Sequence, residues 1–127
     1  MTALLDSWAW LEYFMGSEKG ERIKQVVEES DEVIIVSKIN IFEIYQKILR
    51  VRSKEEAEKF ISFILGRSHL DDLSVEIIKL ACEEKIKFSL GMADSIILST
   101  AIHYDATIYT GDTDFEKAKE VAKIIIF

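Results

Sequence analysis

Four short runs of apolar and β-branched residues recur along the chain, at residues 2–5, 33–36, 107–110 and 123–126. Uninterrupted apolar runs of this kind are typical of parallel strands that are covered by helices on both faces. The hydrophobic pattern therefore predicts four buried strands.

The segments between these runs repeat their apolar residues with helical spacing, which predicts helices over residues 7–15, 17–29, 41–51, 53–65, 75–86 and 93–104. Two capping boxes support this interpretation, because Ser53 is followed by Glu56 and Thr113 by Glu116, the second box opening a last short helix. Strands that alternate with helices predict an α/β fold: a three-layer sandwich with a central parallel sheet and helices on both faces. We expect a single domain over residues 1–127.

Composition fits a globular domain, since 49% of the 127 residues are hydrophobic and 31% are charged. No apolar run approaches the roughly 18 residues that a membrane span needs. Asp6 and Glu12 interrupt the first apolar stretch, so we expect no signal peptide and no membrane association. The lone Cys82 excludes an internal disulfide framework, is predicted to lie in the core, and suits a reducing cytoplasm.

The net charge of −7 argues against a protein whose main role is to coat nucleic acid non-specifically. It leaves open an enzyme that acts on nucleic acid and concentrates its acidic residues in a metal site.

Five carboxylates lie where the predicted sheet would expose a ligand site, beyond the carboxyl ends of its strands. Asp6 directly follows the first predicted strand, and Asp112 and Asp114 follow the third. Glu43 lies in the first turn of the helix after the second strand, and Asp94 in the first turn of the helix that leads to the third. The sequence therefore predicts that all five meet at one rim of the sheet.

Most of these carboxylates also have an ordinary structural interpretation. Asp6 can cap the helix that follows it, and Asp94 can complement a helix dipole. Asp112 and Asp114 can serve in a turn and in the first turn of the last helix. Glu43 differs, because it interrupts the apolar run 39–45, where an unpaired charge is expensive to bury.

Convergence of these acids would require a counter-charge. Two carboxylates about 5 Å apart repel each other by roughly 3 kcal/mol at an effective dielectric constant of about 20. Protonation or a bound cation must relieve that repulsion. Oxygen ligands without a neighbouring Cys or His favour Mg²⁺ or Mn²⁺ over zinc.

Four segments of the chain resemble, in the same order, the four acidic motifs of the PIN-domain ribonucleases: LLDSWAWLEYF at residues 4–14, IFEIY at 41–45, ADSIILSTA at 93–101 and TGDTDF at 110–115. Together they span nearly the whole chain. The resemblance implies a compact α/β sandwich and an RNA endonuclease that depends on Mg²⁺ or Mn²⁺. It implies these site residues: the acidic quartet Asp6, Glu43, Asp94 and Asp112, a variable acidic position at Asp114, and a supporting hydroxyl at Thr110.

The length, with no extra domain, resembles the VapC toxins of toxin–antitoxin pairs. This implies an RNA substrate that is hydrolysed by a metal-activated water, giving a 5′-phosphate and a 3′-hydroxyl. It also implies a VapB-like antitoxin and a homodimer. The basic candidates for contacts to the RNA backbone are Lys38, Arg50, Arg52 and Lys85.

A surplus of apolar residues on the third and fourth predicted helices suggests where partners would bind. We expect exposed apolar surface at Ile44, Tyr45, Ile48, Phe60, Phe63 and Ile64, together with the aromatic cluster at residues 8–14. An amphipathic antitoxin helix would dock there, and a basic side chain from it could reach the carboxylates.

Three alternatives remain open at this stage. The chain could be a housekeeping RNA-processing nuclease, or a PIN-like fold that serves as a non-catalytic binding subunit. A metal-free ribonuclease that uses His69 and His103 as acid and base is a third, although neither histidine has a recognisable partner in the sequence.

Overall fold

The computed structural model describes all 127 residues and contains one five-stranded sheet in which every strand pair is parallel. The strands lie in the order β3-β2-β1-β4-β5, so that the first strand of the chain is central. Their bounds are β1 (Thr2–Leu5), β2 (Val33–Val36), β3 (His69–Leu70), β4 (Thr107–Thr110) and β5 (Ile124–Ile126).

Helices fill the connections between the strands. They are α1 (Ser7–Met15), α2 (Gly20–Lys24), α3 (Lys38–Val51), α4 (Lys54–Arg67), α5 (Val75–Phe88) and α6 (Met92–Tyr104). A π-helical turn, Gln25–Glu29, continues α2, and a 3₁₀ helix, Thr113–Ala118, precedes β5. None of the helices is both long enough and apolar enough to cross a membrane.

The sheet separates two hydrophobic clusters, because alternate residues of a strand point to opposite faces. In β1, Ala3 and Leu5 belong to the cluster that also contains Trp10 and Ile44 from α1 and α3. Leu4 belongs to the other cluster, which is built around residues of α6 and the 3₁₀ helix such as Leu98 and Phe115. The predicted three-layer α/β sandwich is confirmed.

Arg67, the last residue of α4, ties α4 to the segment that leads into β2. Its Nε donates to the carbonyl oxygen of Val27 at 2.6 Å, and its Nη2 donates to those of Val26 at 3.2 Å, Ser30 at 3.5 Å and Glu32 at 3.2 Å. Backbone carbonyls at the end of a helical turn otherwise lack partners. We refer to this arrangement as the Arg67 clamp.

Two differences from the predicted elements have simple local causes. The helix predicted from residue 41 begins at Lys38, because Ser37 caps it and Asn40 accepts from the Ser37 backbone N–H in a capping box that uses Asn in place of Glu or Gln. The helix predicted over residues 17–29 is divided into α2 and the π-helical turn.

Two further differences concern a strand and a cap. Strand β3 was not predicted, since two residues are too short to show a periodic pattern. At the second predicted capping box, Asp112 rather than Thr113 is the N-cap, and its carboxylate accepts from the Asp114 N–H. The first box is present in part, as Ser53 Oγ accepts from the Glu56 N–H at 3.1 Å.

The burial predictions for the helices are partly wrong. Cys82 is exposed rather than in the core, because it lies on the outer side of α5. Conversely, most of the apolar positions expected on a partner surface face the core: Ile44, Ile48, Phe60 and Ile64 are buried. Of that set, Phe63 is exposed and Tyr45 is half-buried. Four of the six positions are therefore core, although α3 and α4 do expose other apolar side chains: Phe42, Leu49, Val51 and Leu65.

Candidate metal centre

The adjacency of β1 and β4 places two of the predicted acids side by side. Leu5 pairs with Tyr109 in the parallel ladder, and the Asp6 backbone N–H donates to the Tyr109 carbonyl oxygen at 3.1 Å. Asp6 and Asp112 thus both leave the sheet at its carboxyl edge, which is where open α/β sheets bind ligands.

Asp6 combines a capping role with a place in the site. Its Oδ1 accepts from the Ala9 N–H at 2.9 Å, and its Oδ2 accepts from the Thr110 hydroxyl. Burial raises the pKa of Asp6 to about 6, and the charges of Asp112 and Glu43 add to the rise, whereas the two hydrogen bonds oppose it. Capping alone does not account for a buried carboxyl beside two other acids.

Glu43 is held by a chain of hydrogen bonds that joins α1 to α3. The Ser7 hydroxyl donates to Glu43 Oε1 at 2.6 Å, and Asn40 Nδ2 donates to Ser7 Oγ at 3.2 Å. Asn40 is fully buried and is itself fixed by the Ser37 backbone N–H. Glu43 therefore projects from α3 in one fixed direction, towards the end of β1.

Ser7 and Asn40 were not singled out by the sequence analysis. A usable signal existed for Asn40, because it is a polar residue within the apolar stripe of α3, and a buried amide needs partners. Ser7 had no such signal beyond its place directly after Asp6.

Asp94 lies close to Asp112 at the start of α6. The pKa of Asp94 is raised to about 7, mainly by burial, with added contributions from the adjacent Asp112 carboxyl and from the charges of Asp112, Asp6 and Glu43. The N-cap of α6 is Gly91, which makes no side-chain capping bond. Asp94 in the first turn complements the helix dipole, but its burial beside the other acids raises its pKa.

The acids form one cleft, which we refer to as the acid cleft. It has a volume of about 290 Å³ and is lined by Asp6, Glu43, Asp94 and Asp112, together with Ser7, Trp8, Ile97 and Gly111. Asp114 does not line it. Asp114 is exposed, yet one carboxylate oxygen of Asp114, one of Asp94 and one of Asp112 lie within 4.8 Å of each other.

Thr110 connects the two halves of the site. Its hydroxyl donates to Asp6, and its Oγ1 accepts from the Asp112 backbone N–H at 2.9 Å. The side chain is fully buried, so its hydroxyl needs both partners. Thr110 therefore fixes the position of Asp6 relative to the turn that carries Asp112.

No basic side chain neutralises the acid cleft. The only ion pairs of the structure are Lys59–Glu55, Lys119–Glu116 and a long Lys117–Asp114 pair at 4.0 Å. The four cleft carboxylates thus retain their mutual repulsion, which is consistent with the raised pKa values. A cluster of carboxylate oxygens without Cys or His fits a hard divalent cation such as Mg²⁺ or Mn²⁺.

The other residues considered from the sequence lie elsewhere. His69 and His103 both pack against Tyr104, and neither lines the acid cleft. Of the basic candidates, Lys38 Nζ donates to the Asp72 carbonyl oxygen and Arg52 donates to Met15 Sδ, whereas Arg50 lines a neighbouring cleft.

Comparisons with known proteins agree with this architecture. The family model of the PIN domain matches residues 3–121. No curated protein sequence matches the chain.

Several solved structures share the fold over nearly their full length. The VapBC2 structure from Rickettsia felis, bound to a DNA fragment from its promoter, superposes with a TM-score of 0.78 at 17% identity, covering 100% of this chain and 99% of that one. VapC20 from Mycobacterium tuberculosis, a sarcin–ricin loop cleaving toxin, gives 0.77 at 14% identity, covering 92% and 95%. A toxin–antitoxin complex from Klebsiella pneumoniae gives 0.73 at 22% identity, covering 90% of each chain.

Proposed function

This chain belongs to the PIN domain family, and we propose that it is a metal-dependent endoribonuclease of the VapC toxin type, built as one domain over residues 1–127. The observation that carries the proposal is the acid cleft, in which four carboxylates converge with no basic partner. The similar structures of comparable length include toxin–antitoxin complexes and one toxin that cleaves the sarcin–ricin loop of RNA. They favour the toxin over a housekeeping RNA-processing nuclease.

The residues that would hold Mg²⁺ or Mn²⁺ are Asp6, Glu43, Asp94 and Asp112, with Asp114 at the outer edge of the site. When bound, such a cation makes hydroxide available near neutral pH for in-line hydrolysis of a phosphodiester. Products with a 5′-phosphate and a 3′-hydroxyl are expected.

The protein's own contribution is to position the carboxylates before a cation arrives. Asp6 is fixed at both oxygens, and Glu43 is fixed by Ser7. The pKa of Asp94 is raised to about 7 by its burial and by the neighbouring carboxyl of Asp112. A bound cation would lower this pKa, because its positive charge favours the ionised carboxylates.

An antitoxin segment is the partner that we propose for a groove at the far end of α1. The groove has a volume of about 390 Å³, and its aromatic wall is formed by Tyr13, Phe14, Phe60 and Phe63. Tyr13 and Phe63 stack with ring centroids 5.8 Å apart, and Phe63 is 41% exposed. The charged residues that line the groove are Glu21, Glu28 and Lys24, an excess of one negative charge, so an apolar segment that carries a basic residue fits it.

A homodimer would use a different surface from the one expected on α3 and α4. The outer side of α5 exposes an apolar stripe of Val75, Ile78, Cys82 and Ile86, with Ile86 82% exposed. These positions follow helical spacing and form one face. We propose this stripe as the dimer contact; light scattering should give twice the chain mass, and Ile86→Asp should give the single mass.

The nuclease function is tested with purified protein and a defined single-stranded RNA. Cleavage should require Mg²⁺ or Mn²⁺, stop in excess EDTA and return when the metal is restored. Asp6→Asn should abolish cleavage, whereas Asp31→Asn, which removes one exposed carboxylate outside the cleft, should not. Mn²⁺ should also raise the melting temperature of the wild type by mass action.

Two results would contradict the proposal in different ways. Cleavage that persists in EDTA would exclude the metal mechanism. A folded protein that binds Mn²⁺ but cleaves no RNA would favour the non-catalytic binding subunit. A cytoplasmic location, which we also propose, is consistent with an RNA substrate and with the exposed free thiol of Cys82.

A further inference from the structure

A second cleft, of about 340 Å³, lies directly beside the acid cleft between α1 and α3. The two clefts share three lining residues, Ser7, Trp8 and Glu43, so they form one continuous groove. Away from the acids, the second cleft is lined by polar and basic side chains of α3: Gln46, Lys47 and Arg50. We refer to it as the basic cleft.

The two cations of the basic cleft have no partner within the protein. Neither Lys47 nor Arg50 forms an ion pair or donates a side-chain hydrogen bond. With Glu43 they occupy one face of α3, at helical spacings of four and three residues. Most lysines and arginines of this chain form no ion pair, so what distinguishes these two is their place beside the acid cleft. In a chain with a net charge of −7, two cations at that place suit an anionic ligand that extends beyond the carboxylates.

The aromatic ring of Trp8 lines both clefts. The ring packs directly over Gly111, where an added Cβ would clash with the indole atoms, so glycine leaves room for it. Phe127 supports the ring with a centroid distance of 5.9 Å. Trp8 is half-buried and keeps an accessible surface in both clefts. Lys19 Nζ lies over the Trp8 ring at 5.9 Å from its centroid, so a base that stacked on that face would displace the lysine side chain. An aromatic ring beside cations is the arrangement on which unpaired nucleobases stack.

We propose that the basic cleft binds the nucleotides of single-stranded RNA next to the scissile phosphate, with a base stacked on Trp8 and phosphates held by Lys47 and Arg50. The inference rests on the proposed nuclease function and names how that site selects its substrate. From Glu43 to Arg50, α3 rises about 10 Å, so the two cations lie along the groove beyond the acid cleft rather than inside it. Stacking on Trp8 requires an unpaired base, so duplex RNA is excluded from the cleft.

The first experiment measures binding without cleavage. In an Asp94→Asn background with Mg²⁺ present, fluorescence anisotropy follows a short labelled single-stranded oligoribonucleotide. We expect Lys47→Ala combined with Arg50→Ala to weaken binding about tenfold. It should also reduce the slope of log affinity against log salt by about 1.4, since each phosphate contact on a single strand contributes about 0.7.

A matched control removes the same total charge from outside the groove. Lys79→Ala combined with Lys123→Ala changes two exposed lysines that line neither cleft. This control should bind RNA within about twofold of the background protein. Equal affinity and equal salt dependence for the two double variants would overturn the proposal.

The second experiment tests the stacking surface. Single-stranded RNA should quench the emission of Trp8, and the fully buried Trp10 supplies an unchanged reference signal. Trp8→Leu should lose affinity several-fold, whereas Trp8→Phe should retain most of it because an aromatic ring remains. Duplex RNA should cause no quenching, and quenching by duplex and single strand alike would contradict the assignment.

Kinetics in the otherwise unchanged protein separate this inference from the nuclease proposal. The Lys47 and Arg50 double variant should raise KM with kcat nearly unchanged, because these residues bind substrate away from the reacting atoms. If the wild type cleaves RNA and this variant has an unchanged KM, the basic-cleft assignment fails and the nuclease function stands. If the protein binds RNA through the cleft but never cleaves it, the assignment stands and the nuclease function fails.

Discussion

The acid cleft and the Arg67 clamp are two concentrations of charge, and they differ in whether the protein supplies the partners. The single guanidinium of Arg67 donates to four backbone carbonyl oxygens. The four carboxylates of the acid cleft receive hydrogen bonds from Ser7, Thr110 and backbone N–H groups, but no cation. Charge that is satisfied internally stabilises the fold, whereas charge that is left uncompensated is available for an external ligand.

The largest effect is expected when one carboxylate of the acid cleft is replaced by a neutral amide. Asp94→Asn should reduce metal-dependent cleavage by at least about a hundredfold, because a charged group of the site is lost. The melting temperature of the metal-free protein should be equal or higher, since repulsion among the acids falls. Calorimetry in EDTA and a cleavage assay in Mg²⁺ provide the two measurements.

A marked loss of metal-free stability in Asp94→Asn would contradict this prediction. It would mean that the charge of Asp94 mainly stabilises the N-terminus of α6. The acid cleft and the Arg67 clamp would then both stabilise the fold, and the difference between them would disappear. Asp31→Asn, which changes an exposed acid, is the control for the loss of one charge.

Removing the Arg67 clamp should lower stability and leave cleavage unchanged, which is the opposite of the result expected for Asp94→Asn. Arg67→Ala removes the guanidinium donor from the carbonyl oxygens of Val27, Ser30 and Glu32, which we expect to destabilise the fold by about 3 kcal/mol. The carbonyl oxygen of Val26 also loses Arg67 but keeps its hydrogen bond from the Ser30 hydroxyl. Cleavage per folded molecule should remain close to that of the wild type. Urea unfolding measures the first effect, and active-site-normalised kinetics measure the second.

The control for the clamp is Arg50→Ala, which removes a guanidinium that has no partner in the protein and should change stability by less than about 0.5 kcal/mol. If Arg50→Ala and Arg67→Ala lower the free energy of unfolding equally, the hydrogen bonds of the Arg67 clamp do not stabilise the fold as predicted.

The pH dependence of stability sharpens the comparison, because two carboxyls of the acid cleft have pKa values raised towards neutrality. The pKa values of Asp6 and Asp94 are raised to about 6 and about 7, so the folded protein holds their protons more tightly than the unfolded chain. Their contribution to stability is fully present below about pH 4 and is lost as the pH rises through 6 and 7. For Asp6 the change is up to about 3 kcal/mol.

The metal-free protein should therefore melt at a higher temperature at pH 5 than at pH 8, as measured by scanning calorimetry in EDTA. Saturating Mg²⁺ should remove or reverse this difference, because the cation stabilises the ionised carboxylates. The double variant Asp6→Asn, Asp94→Asn should lose most of the dependence. An unchanged dependence in that variant would place the titrating groups outside the cleft.

The smallest expected effect concerns Thr110, the hydroxyl between Asp6 and Asp112. Thr110→Val keeps the shape of the side chain but removes one donor and one acceptor, and it should reduce stability by about 1–2 kcal/mol. It should also raise the pKa of Asp6 further, since the Thr110 hydrogen bond lowers it. Thr107→Val, at the other end of β4, is the matched control and should weaken neither stability nor Mn²⁺ binding appreciably.

The parts of the fold that sequence alone predicted are those whose signal is local. Strands β1, β2 and β4 have the predicted bounds, because each is a short run of apolar and β-branched residues that is largely buried. Strand β3 was missed, because two residues become a strand only by pairing with β2. Cys82 was assigned to the wrong side of α5, because its neighbours on the stripe are apolar although they are exposed.

In the candidate site, too, some features have a local sequence signal and others arise only from tertiary packing. The rule that ligands bind at the carboxyl ends of parallel strands was enough to bring Asp6, Asp94 and Asp112 to one edge. The hydrogen bond from Asn40 to Ser7 joins residues 33 positions apart on different helices, and it exists only once α1 and α3 have packed. The place of Lys47 in the cleft beside Glu43 could not be predicted either, since one lysine on a helix face has no local signal.

The strand order has a consequence for the newly synthesised chain. The hydrogen bond from Thr110 to Asp6 joins residues 104 positions apart, and β4 lies directly beside the central β1. Contacts of such long range form late, and during translation they must wait for the distant segment to leave the ribosome. A nascent chain that has not yet reached β4 carries Asp6 and Glu43 but lacks Asp112. The acid cleft is therefore among the last features to be completed. An incomplete chain that is still attached to the ribosome lacks the full set of cleft carboxylates.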